Sequence, residues 1–145
     1  MSSNGASPQA ATAVGVLICD DNAAMRTLLS VIVDGDPALR VVGEAADGNE
    51  VIAQATSHEP DVILLDLAMP NLSGLEALPE LRRRVPNAQI IVFSGFARAN
   101  VAEEVFALGA VAYLEKGASP DTIVAAIEEA FASTLASRTG ALTLQ

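Results

Sequence analysis

Residues 14–21 read Val-Gly-Val-Leu-Ile-Cys-Asp-Asp, an apolar run that stops at two carboxylates. A short, continuously apolar segment of this kind suits a strand covered on both faces, with its last residues emerging at a sheet edge. Four further Val- and Ile-rich runs follow, over 40–45, 62–65, 89–93 and 111–114. Between them apolar residues fall at helical spacing: Met25, Leu28, Leu29 and Ile32; Val51 and Ala55; Leu75, Leu78, Leu81 and Val85; Val101, Val105 and Leu108; Ile123, Ile127, Ala130 and Phe131. Each set forms one apolar stripe. Five strand-helix units joined by connections of a few residues imply right-handed crossovers, and so a doubly wound α/β fold with a five-stranded parallel sheet and helices on both faces.

Local signals mark the joints. Gly35 and Pro37 close the first helix, Pro86 and Asn87 the third, and Gly109 lies just past the fourth, while Ser119-Pro120 opens the fifth as cap and first helical residue. Pro79 disagrees, because it falls inside the third helical pattern. Either that helix starts near Glu76 with Pro79 in its first turn, or it is kinked. Residues 1–13 and 133–145 are rich in Ser, Ala, Gly and Thr without periodicity and read as tails, the last helix having room to run one turn into the second, leaving one domain over 14–132.

Composition narrows the function. The net charge is −10 over 145 residues, and the one basic cluster, Arg82 to Arg84, is too short to attract a phosphate backbone, which argues against direct nucleic-acid binding. A single cysteine, Cys19, cannot form an internal disulfide and reads as strand packing rather than a nucleophile. No basic residue precedes the apolar run before Asp20-Asp21, and the run is far too short to span a bilayer, so a cytoplasmic protein without membrane contact is expected.

In open parallel sheets the reactive site lies beyond the carboxyl ends of the strands, where the strand order reverses. Here the first run ends in Asp20-Asp21, the third in Asp66, the fourth in Ser94 and the fifth in Glu115-Lys116, and Lys116 is the chain's only lysine. With the flavodoxin-like order 2-1-3-4-5, strands one and three are neighbours about 4.8 Å apart, so Asp20, Asp21 and Asp66 could surround one small cation. Two carboxylates about 4 Å apart repel by about 4 kcal/mol at an effective dielectric near 20, so the trio calls for a proton or a metal. Oxygen ligands alone suit Mg²⁺ or Mn²⁺. The competing structural reading makes Asp20 and Asp21 caps of the first helix, Asp66 a cap of the third and Lys116 an ordinary ion-pair partner.

Four motifs in order carry a family resemblance: Leu17-Ile18-Cys19-Asp20-Asp21; Leu64-Leu65-Asp66-Leu67-Ala68-Met69-Pro70 with Gly74; Val92-Phe93-Ser94-Gly95; and Ala112-Tyr113-Leu114-Glu115-Lys116-Gly117. Together they resemble the response regulator receiver domain, the phosphorylation switch of two-component signalling. The resemblance implies that Asp66 accepts a phosphoryl group from a sensor histidine kinase, a histidine phosphotransfer protein or a small donor such as acetyl phosphate. It implies Mg²⁺ on Asp21, Asp66 and the Ala68 carbonyl, with Asp20 acting through water. Ser94 and Lys116 would bind phosphoryl oxygens, and Tyr113 would turn inward as Ser94 moves. The signalling surface would comprise the fourth helix, fifth strand and fifth helix, over 97–108, 111–114 and 119–131, serving partners or a homodimer. The segment 113–123 is similar to receivers joined to LuxR-type helix-turn-helix domains; no output domain follows residue 132, so a stand-alone receiver and a piece of a longer regulator both stay open.

Two other functions compete. An aspartate-nucleophile phosphatase of the haloacid dehalogenase type would use a similar Asp, Mg²⁺, Ser and Lys set, but its general acid two residues after the nucleophile is here Ala68. A flavin module would need a phosphate-cradling loop where Asp20-Asp21 stands. Phe96, two residues past Ser94, is expected to slow hydrolysis of an aspartyl phosphate. His58 reads as an exposed helix-end residue, Arg82 to Arg84 as a solvated helix end, and Met25 and Phe131 as core positions.

Overall fold

The computed structural model describes residues 13–143; the N-terminal tail expected over 1–13 falls outside it except for Ala13. Strands β1 (Val14–Cys19), β2 (Leu39–Ala45), β3 (Val62–Leu65), β4 (Gln89–Ser94) and β5 (Ala112–Glu115) alternate with helices α1 (Ala23–Asp34), α2 (Gly48–His58), α3 (Gly74–Arg84), α4 (Arg98–Ala107) and α5 (Pro120–Thr143). The strands form one parallel sheet in the order β2-β1-β3-β4-β5, as the sequence predicts.

Period-two alternation splits the apolar residues of each strand between two cores. Leu17 and Cys19 face one way with Val51 and Ala55 of α2, Leu78 and Leu81 of α3 and Val105 of α4. Val16 and Ile18 face the other with Leu29 and Val33 of α1 and Ile123 and Ile127 of α5. Burial follows position in the sheet: β1 and β3 are buried throughout, whereas the edge strands β2 and β5 contain exposed and half-buried residues. The register of β1 on β2 slips between Val16 and Leu17, with Val42 as the unpaired residue.

Three expectations change. Of the two readings of α3, the start near Glu76 fails: the helix begins at Gly74, so Pro79 sits in its second turn and the Leu75 carbonyl loses its i+4 donor. Its start is fixed instead by a capping box, in which Ser73 Oγ accepts from Glu76 N–H and Glu76 Oε1 accepts from Ser73 N–H. Helix α5 continues through Thr143, past position 133 where the composition suggests a tail, since the Ala, Leu and Arg residues of that stretch favour helix even without a regular apolar stripe. Arg82 is not simply solvated: Nη1 and Nη2 donate to the carbonyls of Ala88 and Pro86, tying down the α3–β4 turn, while Arg83 and Arg84 pair with Glu80. Among the described residues no helix is long and apolar enough to cross a membrane.

Candidate functional site

The pairing of β1 with β3 sets Cys19 beside Leu65, so the residues that follow each strand emerge together at the carboxyl edge. Asp66 N–H donates to the Cys19 carbonyl at 2.9 Å, continuing the ladder one step beyond the strands. Ligand-capable oxygens of Asp20, Asp21 and Asp66 all lie within 4.8 Å of one another. Asp20 and Asp66 are buried and Asp21 is exposed, giving a site with two inner carboxylates and one at its mouth.

These carboxylates do not cap the helices. Asn22 caps α1, its Oδ1 accepting from Met25 N–H at 2.9 Å, and Ser73 caps α3. The acids instead fold their loops around themselves: Asp20 Oδ1 accepts from Asn22 N–H and Asp66 Oδ1 from Ala68 N–H. Gly74 allows the Asp66 loop to close, because a Cβ there would fall 2.0 Å from the Asp66 carbonyl oxygen.

Lys116 crosses β4 to meet the two inner acids. Its Nζ donates to Asp66 Oδ2 at 3.2 Å and lies 2.8 Å from Asp20 Oδ2. The second contact is an ion pair without hydrogen-bond alignment, so Asp20 Oδ2 is a buried oxygen with no hydrogen-bond partner. Ser94, fully buried at the end of β4, accepts from Phe96 N–H through Oγ. Tyr113 is buried, and its hydroxyl donates to the Phe96 carbonyl at 2.7 Å. Ala68 is exposed in the loop after Asp66. The sequence-derived residues thus converge on one edge, with Tyr113 set behind Ser94 rather than among the acids.

Charge at the site is unbalanced toward the negative. Burial and then the neighbouring Asp20 charge push the Asp66 carboxyl up, against the Ala68 N–H and the Lys116 ammonium. Burial opposes the Lys116 ammonium, yet the Asp20 and Asp66 carboxylates together hold its pKa above the ordinary lysine value. Burial, Asp20 and Asp66 push the Cys19 thiol well up, which keeps it protonated and unreactive, in line with its reading as packing. His58 is exposed at the end of α2, as expected.

The donor set fits a small hard cation. Three carboxylates converge, the buried Asp20 Oδ2 is met only by the Lys116 ammonium, and that single ammonium does not neutralise the group. Sequence reasoning missed two supporting roles, although it placed Glu115 at the end of the fifth strand. Arg26 donates to the Asp20 carbonyl at 2.8 Å and pairs with Glu44, bracing the β1–α1 loop, and Glu115 accepts from Arg98 N–H at 2.9 Å. Neither has a sequence signal, since each acts on a backbone group supplied by the fold.

Comparison with known proteins agrees with this geometry. The chain is 37% identical over 117 residues to the nitrate/nitrite response regulator protein NarL of Escherichia coli, covering 81% of this chain and 54% of that protein. It is 34% identical over 117 residues to the transcriptional regulatory protein YxjL of Bacillus subtilis, again covering 54% of the relative. The chain therefore spans about half the length of these curated relatives. Among solved structures, the response regulator domain of Thermotoga maritima CheB superposes with a TM-score of 0.77 at 33% identity, covering 82% of this chain and 96% of that one. The response regulator receiver domain profile matches residues 16–128, and with the acid cluster, the crossing lysine and the 2-1-3-4-5 sheet already in place, the chain belongs to the response regulator receiver family, a phosphorylation switch of two-component signalling.

Proposed function

We propose that Asp66 is the phosphoacceptor of a Mg²⁺-dependent receiver occupying residues 14–132. The observation that carries this reading is Lys116 Nζ reaching both Asp66 Oδ2 and Asp20 Oδ2 across an intervening strand. The ammonium stands where a second phosphoryl oxygen requires positive charge, and its length suits a span of two strand spacings, about 10 Å.

In the reaction an Asp66 carboxylate oxygen attacks phosphorus in line. The new O–P bond forms as the P–N bond of a phosphohistidine, or the P–O bond of acetyl phosphate, breaks. Asp21, Asp66 and the Ala68 carbonyl would hold Mg²⁺ or Mn²⁺, with Asp20 acting through water, and the bound ion would supply charge neutralisation to the transferred group. Lys116 donates to one phosphoryl oxygen, and Ser94 exchanges its bond from Phe96 N–H for a bond to another. Tyr113, hydrogen-bonded to the same Phe96, feels that exchange and passes it to the α4, β5 and α5 surface. A partner, a second copy or an output domain would read this surface. The donor is a sensor histidine kinase or histidine phosphotransfer protein, and the setting is cytoplasmic.

Family membership retires the phosphatase alternative, and Ala68 offers no side-chain acid to protonate a leaving group. Incubation with acetyl phosphate and Mg²⁺ followed by intact-mass measurement tests the assignment. One phosphoryl group is expected on the wild type and none without Mg²⁺ or on Asp66→Asn. Labelling that persists in Asp66→Asn would place the acceptor elsewhere.

A further inference from the structure

The geometry points to Glu115 as a positioning residue that ties the start of α4 to β5 and thereby sets how readily the switch responds. The inference rests on the receiver reading above and concerns a residue outside the phosphoryl site.

Helix α4 is weakly held. Val105 is its one buried residue, whereas α3 buries four, and Ala97 at its N-cap position has no side chain that can accept from the first turn. Elements with so few buried contacts open most easily. The missing acceptor comes from β5 instead, where Glu115 Oε2 accepts from Arg98 N–H at 2.9 Å. A carboxylate at a helix N-terminus satisfies an orphan donor and complements the helix dipole.

Glu115 belongs to a set of ties between two segments. Lys116 N–H donates to the Ser94 carbonyl at 2.7 Å, Tyr113 Oη donates to the Phe96 carbonyl at 2.7 Å, and Glu115 receives Arg98 N–H. Residues 94, 96 and 98 are therefore all bonded to residues 113–116. Strand periodicity explains the sharing, because Tyr113 and Glu115 are two residues apart and project to the α4 side of the sheet. Lys116, next in chain, sends its side chain to the acids. One short stretch of β5 thus links the phosphoryl site to the start of α4, and Glu115 makes the last tie. Tyr113 is already buried and bonded to Phe96, so the tied arrangement holds the inward Tyr113 expected of the switched form even before Ser94 leaves Phe96 N–H. Losing the Glu115 tie favours arrangements in which α4 is detached from β5 and Tyr113 is not held inward, which beryllofluoride must then reverse.

Tyr113 is the only tyrosine and the chain has no tryptophan, so its fluorescence reports on this region alone. The test titrates the wild type, Glu115→Ala, Glu115→Gln and the double variant Ala97→Ser/Glu115→Ala with beryllofluoride at fixed Mg²⁺, reading Tyr113 fluorescence and, separately, the melting temperature. Glu115→Ala should raise the beryllofluoride midpoint about fivefold, the size of a lost helix cap, and Glu115→Gln, which keeps an acceptor, should raise it less. The hydroxyl introduced by Ala97→Ser can cap α4 locally but cannot join it to β5, so the double variant should recover melting temperature without recovering the midpoint. A wild-type midpoint in Glu115→Ala, or full recovery of the midpoint in the double variant, would overturn the inference. Absence of any beryllofluoride response in the wild type would instead defeat the receiver reading on which it rests.

Discussion

Lys116 Nζ stands 3.2 Å from Asp66 Oδ2 although the two residues are carried by strands that do not touch, with β4 between them. The same ammonium lies 2.8 Å from Asp20 Oδ2, so one long side chain closes a site whose other charged members come from β1 and β3. The arrangement holds two buried carboxylates close together with one counter-charge, a state a divalent cation and a phosphoryl group would complete.

Replacing that counter-charge separates its two roles. Lys116→Met keeps the stem and removes the ammonium, leaving Asp20 and Asp66 to repel without relief. Because Lys116 is a quarter exposed, solvent screens part of the loss, and destabilisation of about 1–2 kcal/mol is expected in metal-free buffer by denaturant titration. Labelling by acetyl phosphate should fall more than tenfold, since the interaction with the phosphoryl oxygen goes with the charge.

The raised Asp66 pKa predicts a pH dependence with a definite sign. The folded state holds the Asp66 proton more tightly than the unfolded chain, so this group lowers stability as pH rises from about 4, the unfolded value, through its raised folded value. Lys116 has the same sign in a different range: its raised folded pKa gives stability that is present at neutral pH and is lost as pH rises above about 10.4. Asp66→Asn should therefore be more stable than the wild type at pH 7 without Mg²⁺, and the gain should vanish near pH 4. Thermal melts across that range check both statements.

Asp21 is exposed and bonds to no cap, so Asp21→Asn should leave metal-free stability unchanged. Mg²⁺ at 100 times its dissociation constant stabilises a folded protein by about 2.7 kcal/mol, and this increment should disappear in the variant and on adding a chelator to the wild type. Comparing melts with and without Mg²⁺ decides it.

The fold was legible because the strand ends and helix stripes agree with one another. Val14–Cys19 is buried throughout, and the alternation of Leu17 and Ile18 between two cores follows from period two alone. The acid trio was legible because those residues stand at strand ends, where topology alone brings them together. What escaped were interactions in which a side chain serves a backbone group outside any regular helix or strand spacing, such as Arg26 on the Asp20 carbonyl and Glu115 on Arg98 N–H. Neither residue type nor spacing encodes such a partner. Pro79 left two readings open, a helix start near Glu76 or a kink; the Ser73 capping box and the apolar contacts of Ala77, Leu78 and Leu81 start the helix at Gly74 and outweigh the one lost backbone bond.

Gly74 tests how tightly the acceptor loop is built. A methyl group at this position meets the Asp66 carbonyl oxygen at 2.0 Å and Leu67 Cα at 3.0 Å, both backbone atoms that cannot swing aside. Gly74→Ala should therefore destabilise the protein by about 1–3 kcal/mol through overpacking. It should also weaken Mg²⁺ binding, because the displaced peptide carries Asp66. Wild-type Mg²⁺ affinity in the variant, measured by calorimetry, would show that the loop absorbs the methyl group without moving the acid.

Phe96 joins the switch through its backbone and faces solvent with its ring. Its N–H donates to Ser94 Oγ and its carbonyl accepts from Tyr113, while the residue remains 50% exposed beside the site. Truncation to alanine leaves both backbone bonds available, so Phe96→Ala isolates the ring. If the ring limits water's approach to an aspartyl phosphate, the variant should take up the phosphoryl group at the wild-type rate and lose it several-fold faster, a change of about 1 kcal/mol in the hydrolysis barrier. The decay of the phosphorylated mass after removal of acetyl phosphate measures that loss. An unchanged decay would assign Phe96 to the surface alone, where its exposed ring is available to a partner.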